Sequence, residues 1–144
     1  MDTQKAAFWL GLTGYIPFGA LTLATLLGGE HAALAQMLLI GYAAVILSFL
    51  GGIRWGVAML HSQTVPQPVA LGISVLPSLW AWIAAAIGGP FSFLMFAVGF
   101  LAMGWWDNKL VAAGQAPAWF GTLRLVLTGL VTITMVIASF VVRF

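Results

Sequence analysis

The sequence predicts an all-α integral membrane bundle of five transmembrane helices, and three observations carry that prediction. Of 144 residues, 62% are hydrophobic and only 6% are charged, with a mean hydropathy of +1.10. A soluble domain of this length has too little interior to hide so much apolar surface. The apolar residues gather in runs of about twenty or more, the length a helix needs to cross a hydrocarbon core. Helix-breaking residues stand between the runs, at Gly28-Gly29, Pro66-Gln67-Pro68, Gly88-Gly89-Pro90 and Gly114-Gln115-Ala116-Pro117.

The first span, near residues 6–27, follows Asp2 and Lys5 and ends at the glycine pair. Ala33-Leu34-Ala35 resembles a signal cleavage site, but a signal core needs only about 7–15 apolar residues. This run is longer, so it is expected to be retained as a helix. Glu30 and His31 occupy a short turn before the second span, near 32–60. The stretch from His61 to Pro68 is the most polar of the chain and reads as a loop. The third span runs near 69–87. The fourth, near 91–113, carries Asp107 and is capped by Gly114. Pro117 suits the first turn of the fifth, near 118–142. The whole chain, 1–144, reads as a single transmembrane domain.

Five spans place the termini on opposite sides of the membrane. Lys5, Arg54, Lys109 and Arg124 lie in or toward the side of the N-terminus, whereas Arg143 alone lies at the other. By the positive-inside rule the N-terminal side is cytoplasmic, or matrix in a mitochondrion, with the C-terminus out. The expected location is a bacterial or mitochondrial inner membrane. There is also a faint internal repeat. Pro17 and Pro77 each precede a glycine pair by eleven residues, within Leu10-Gly11-Leu12-Thr13 and Leu71-Gly72-Ile73-Ser74 contexts. Duplication and chance similarity between apolar segments both account for it.

Composition excludes several functions. No lysine or arginine cluster supports nucleic-acid binding. With no cysteine there is no disulfide, thiol nucleophile or thiolate metal site. One carboxylate in the membrane interior does not make a paired-acid site, and His31 and His61 fall at opposite faces. No phosphate loop, zinc-protease helix or serine elbow is present. The chain is therefore not expected to be an enzyme, to bind a metal or to carry a cofactor.

What remains is a charged layer. Arg54, Asp107 and Arg124 sit inside apolar runs, each roughly 9–11 Å from the same end of its helix at about 1.5 Å per residue. Ionised groups at membrane depth are expensive and mark function by default. The fourth and fifth spans are joined by a short turn, so Asp107 and Arg124 are expected to face each other, with a bidentate fork available to them. Arg54 has no second carboxylate at its depth, which leaves an excess positive charge. An anionic ligand, a lipid phosphate, water or backbone carbonyls could compensate it. Alternatively, the arginines snorkel and the Asp–Arg pair only locks two helices.

The surroundings of Arg54 sharpen the expectation. Ser48, Gly52 and Gly56 form a small-residue stripe suited to close helix packing, inside the protein or between copies. Gly51 is expected to leave space beside the guanidinium, and His61 lies on the arginine's face at the loop. Trp55 and Trp106, with Trp80, are candidate walls of a cavity around Arg54; an interfacial aromatic belt is the plainer account of most tryptophans. Pro17 and Pro77 predict kinks, because each removes a backbone donor. Arg124, Thr128 and Thr132 make a polar stripe on the fifth span, for which hydroxyl bonds to the helix's own backbone are the ordinary expectation.

Three segments carry a family resemblance: Leu47-Ser48-Phe49-Leu50-Gly51-Gly52-Ile53-Arg54-Trp55-Gly56, then Pro77-Ser78-Leu79-Trp80-Ala81-Trp82, then Pro117-Ala118-Trp119 before Leu123-Arg124 and Leu127-Thr128. Through them the chain resembles, over nearly its whole length, a family of small five-span membrane proteins of unknown function that includes mitochondrial transmembrane protein 69. That resemblance implies topology and no activity. Two functions fit these residues: a binder or transporter of a small anionic or amphiphilic molecule, or a structural or assembly subunit of a larger membrane complex. Membrane lipid is the expected surrounding in either case, with a homo-oligomer or a partner subunit as further expectations.

Overall fold

Five helices follow the five apolar runs: α1 (Thr3–Leu27), α2 (Ala32–Leu60), α3 (Gln67–Ile87), α4 (Gly89–Ala112) and α5 (Ala118–Val141). The structure, a computed structural model, describes residues 2–61 and 65–142. Ser62, Gln63 and Thr64 of the expected polar loop, and Arg143 of the charge argument, lie outside the described residues. Each helix is long and apolar enough to cross a membrane. Boundaries fall within three residues of those expected from turn chemistry.

The turns explain themselves. Gly28, Gly29, Gly88, Gly89 and Gly114 all take φ between 66° and 85°, a backbone region closed to most side chains. Helix ends therefore coincide with glycines. Gln67 adds a tie across the second turn, its side-chain amide donating to the Ala58 carbonyl at 3.1 Å. α1 and α3 each continue as single helices through Pro17 and Pro77.

Short turns force neighbouring helices to run antiparallel. α1, α2, α4 and α5 close a four-membered ring of contacts, α1 against α2, α2 against α4, α4 against α5 and α5 against α1. α3 lies outside the ring, in the groove between α2 and α4. Among the described residues α2 and α5 make no close backbone contact, so the ring is slack across that diagonal.

The interior is built on Phe18, Leu39, Leu47, Phe93, Phe96, Phe100 and Met135, all essentially inaccessible. Phe18 anchors it, meeting Tyr42 and Phe100 edge-on at 5.0 and 5.8 Å between ring centroids. Leu10, Leu60 and Phe140 are instead largely exposed, as lipid-facing positions must be in a span. Lipid is as apolar as this core, so the helices are held by close packing and polar contacts rather than by expulsion from water.

Close approach occurs at glycines other than those expected. A Cβ on Gly51 would lie 2.8 Å from the Ser74 carbonyl oxygen, and one on Gly99 2.8 Å from the Leu47 side chain. On Gly104 it would lie 2.5 Å from the Thr128 hydroxyl. Gly52 and Gly56 have nothing within 4 Å of theirs. The Ser48–Gly52–Gly56 stripe thus makes no close contact within the protein at either glycine, the first of the two packings expected for it. It lies round the helix from the buried face of α2, which runs through Leu39, Ala43, Leu47, Leu50, Arg54 and Ala58. Gly51 is likewise not a space beside Arg54. It is where the α3 backbone touches α2.

Candidate functional site

The charged layer forms where α4 and α5 come closest. Gly104 lets Thr128 rest on the α4 backbone, and three residues further along α4 stands Asp107. One turn before Thr128 on α5 stands Arg124. The Arg124 Nε–H donates to Asp107 Oδ2 at 2.6 Å, with the two residues 7% and 1% exposed. A single bond joins them rather than the bidentate fork the residue types allow. Arg124 Nη2 and Asp107 Oδ1 have no hydrogen-bond partner among the described residues.

Arg54 reaches the same layer from α2. It is 8% exposed, and its Cζ lies 4.0 Å from the centre of the Trp106 ring. A desolvated guanidinium over tryptophan gains on the order of 2 kcal/mol from the ring quadrupole. Asp107, next to Trp106 in sequence, is within electrostatic reach of Arg54, although its bond goes to Arg124. Arg54 Nη1 has no hydrogen-bond partner among the described residues. Two buried guanidinium groups therefore share one carboxylate, and the layer carries an excess positive charge.

Two crevices flank this layer. One, of about 500 Å³, lies inside the slack ring between α1, α2 and α5. Its walls include Gly14, Phe49 and Leu127, with Arg124 and Thr128 as its chief polar lining. Thr128 Oγ1 and Thr132 Oγ1 have no hydrogen-bond partner among the described residues, contrary to the expectation that they bond their own helix; Thr122 and Thr134 do so, at 3.5 Å to the Ala118 carbonyl and 2.8 Å to the Leu130 carbonyl. The other crevice, about 630 Å³, lies between α2, α3 and α4 and is almost wholly apolar, with Trp80, Trp105 and Trp106 along it. Trp106 thus has Arg54 on its face and an apolar groove beside it.

The other expected site residues scatter. Trp55 is 40% exposed and lines neither crevice, so the wall imagined around Arg54 consists of Trp106 on one side and not Trp55. His61 stands exposed at the end of α2, where its backbone N–H caps the Val57 carbonyl. Pro77 is buried against Gly51, and Pro17 is followed by the core residue Phe18. Pro77 thus packs α3 on α2, while Pro17 is half-buried within α1.

Some contacts were not anticipated. The Thr134 hydroxyl donates to its own helix, so the Tyr15 hydroxyl donates to Thr134 Oγ1, at 2.7 Å. The Tyr42 hydroxyl donates to the Gly14 carbonyl at 2.7 Å. These bonds tie α1 to α5 and to α2 at mid-membrane depth. Lys109 Nζ sits 3.8 Å over the Trp105 ring. The only two tyrosines of the chain lie in otherwise apolar spans, and that was the available signal.

Residues 3–140 match a family described as a protein of unknown function, DUF3429. Transmembrane protein 69 of Xenopus tropicalis is 33% identical over 138 residues, covering 94% of this chain and 54% of that protein. Transmembrane protein 69 of Mus musculus is 31% identical over 142 residues, covering 95% of this chain and 56% of that protein. The chain thus spans about half the length of these curated relatives. No solved structure matches it. The chain belongs to the DUF3429 family and is a multi-pass membrane protein.

Proposed function

We propose that this five-span family member binds a small anionic or amphiphilic molecule at its Arg54–Asp107–Arg124 layer, to hold it in the membrane or carry it across. One observation carries the reading: two guanidinium groups more than nine-tenths buried share a single carboxylate. Each retains a buried donor, Arg54 Nη1 and Arg124 Nη2, without an acceptor among the described residues. An anion accepting from either would form a charge-assisted bond and neutralise the excess charge. The proposed setting is an inner membrane, with the layer nearer the cytoplasmic or matrix face, because Lys5 and Lys109 lie on that side.

The competing reading is a structural or assembly subunit. It is favoured by the Asp107–Arg124 bond itself, which locks two sequential helices at a depth where no solvent competes. The two readings separate in one experiment. The full chain, in nanodiscs of zwitterionic lipid, is heated with a fatty acid, an alkyl phosphate or the alcohol of equal chain length. The two anions should raise the unfolding midpoint and the alcohol should not, and Arg54→Ala should abolish the rise. Equal stabilisation of Arg54→Ala and the parent would remove Arg54 from the site. No rise with either anion, together with a stoichiometric partner retained in mild detergent, would favour the assembly role.

A further inference from the structure

We infer that the crevice between α1, α2 and α5 is a site for a single-chain amphiphile with a carboxylate or phosphate head. The head lies beside Arg124, and the chain runs along the helix axes toward Phe18 and Val131. This rests on the reading above and names the substrate class of that layer.

The polar lining is confined to one place. Arg124 and Thr128 are each 7% exposed and both line the crevice; Arg124 Nη2 has no hydrogen-bond partner among the described residues, while the Thr128 hydroxyl lies against Gly104 of α4. The other hydroxyl in the wall, that of Tyr15, is already committed to Thr134. A ligand thus has one anchoring point, the cationic donor of Arg124. Everything deeper is apolar: Leu127, Val131, Phe18, Ile46 and Phe100. A charged head beside Arg124 with an alkyl chain below it matches this division, whereas a compact polar solute would leave the apolar part unused.

Shape points the same way. The lining runs over residues 7–18 of α1 and 119–131 of α5, about 16–18 Å along the helices. At about 500 Å³ it has the size of an ordinary small-ligand pocket, room for one chain and too small for a two-chain phospholipid. The α1–α5 side is sealed, since a Cβ on Gly11 would lie 2.9 Å from Leu127. The rim between α1 and α2 is open, with Leu10 and Phe49 at 72% and 61% exposure. A chain can therefore slip in sideways from the bilayer, its head descending to Arg124.

Gly14 supplies the test. It lines the crevice, and a Cβ there would meet nothing nearer than the Tyr42 hydroxyl at 4.0 Å, so a larger side chain grows into the cleft. In nanodiscs the chains start from lipid rather than water, so saturated fatty acids should bind the parent more tightly with length only until the chain fills the crevice, and not beyond. Gly14→Leu should shorten the chain length at which binding stops improving and keep the parent's response to the shortest. A fatty acid with a diazirine at its chain end should label α1 and α5 near Phe18 and Val131 in the unaltered protein, which settles the matter if Gly14→Leu fails to fold. Folded Gly14→Leu that binds long chains like the parent, or label spread evenly over the lipid-facing helices, would overturn the inference. If Arg54→Ala still abolished anion stabilisation in that case, the charged-layer reading would survive alone. If no anion of any length shifted the parent, both would fall.

Discussion

Asp107 uses one of its two oxygens, and Arg124 one edge of its guanidinium, so each ion of the pair is only partly satisfied. Such a pair is sensitive to loss of either member. Asp107→Asn leaves Arg124 and Arg54 in the layer with no counter-charge, and breaking a buried pair this way costs about 3–5 kcal/mol. Reversible denaturation in mixed micelles should show a loss of that order. A pair replaced by apolar groups of similar volume is often neutral, since both desolvation penalties disappear together. Asp107→Leu combined with Arg124→Met should therefore recover most of the stability lost by Asp107→Asn. The same double variant should no longer respond to fatty acids. Recovery of binding along with stability would remove the pair from the ligand site.

At the scale of helices, the packing of α4 on α5 depends on Gly104. Alanine there places its Cβ 2.5 Å from the Thr128 hydroxyl and 3.0 Å from Thr128 Cβ, so a backbone must move. Overpacking of this kind costs about 1–3 kcal/mol. Gly52→Ala and Gly56→Ala meet open space, and each should be neutral or stabilising by up to about 1 kcal/mol from helix propensity. Thermal unfolding of the three single variants decides between these glycines; destabilisation by Gly52→Ala or Gly56→Ala would mean that a partner helix occupies that face. The contrast also shows what was legible in the sequence. Spans and turns were, because run length and glycine chemistry are local properties. The depth of Arg54, Asp107 and Arg124 was, because rise per residue is fixed. Inward faces were not: a helix in lipid is apolar all round, so hydrophobicity does not mark its buried side. Small-residue spacing pointed to Gly52 and Gly56, and the arginine between them was the better guide. A charge avoids lipid, and Arg54 indeed shares its face with Leu47, Leu50 and Ala58.

For the molecule as a whole, function depends on which face of the membrane the layer serves. Arg54 lies six residues before the end of α2 and Arg124 six after the start of α5, about 9 Å inside the same surface. Lys5 and Lys109 lie toward that surface, and Glu30 and His31 pair in the turn at the opposite one, largely exposed. Lysine retention on the cytoplasmic or matrix side predicts the orientation. The chain has no cysteine, so single introduced thiols report without background. Ala113 and Glu30 are both exposed, in turns at opposite ends of the bundle. In bacterial spheroplasts, Glu30→Cys should react with a membrane-impermeant maleimide, and Ala113→Cys only after the membrane is opened. The reverse pattern would place Arg54, Arg124 and the mouth between Leu10 and Phe49 in the outer leaflet. An amphiphile would then reach the site from outside the cell, and the proposed binding would serve uptake rather than retention or export of a molecule made within.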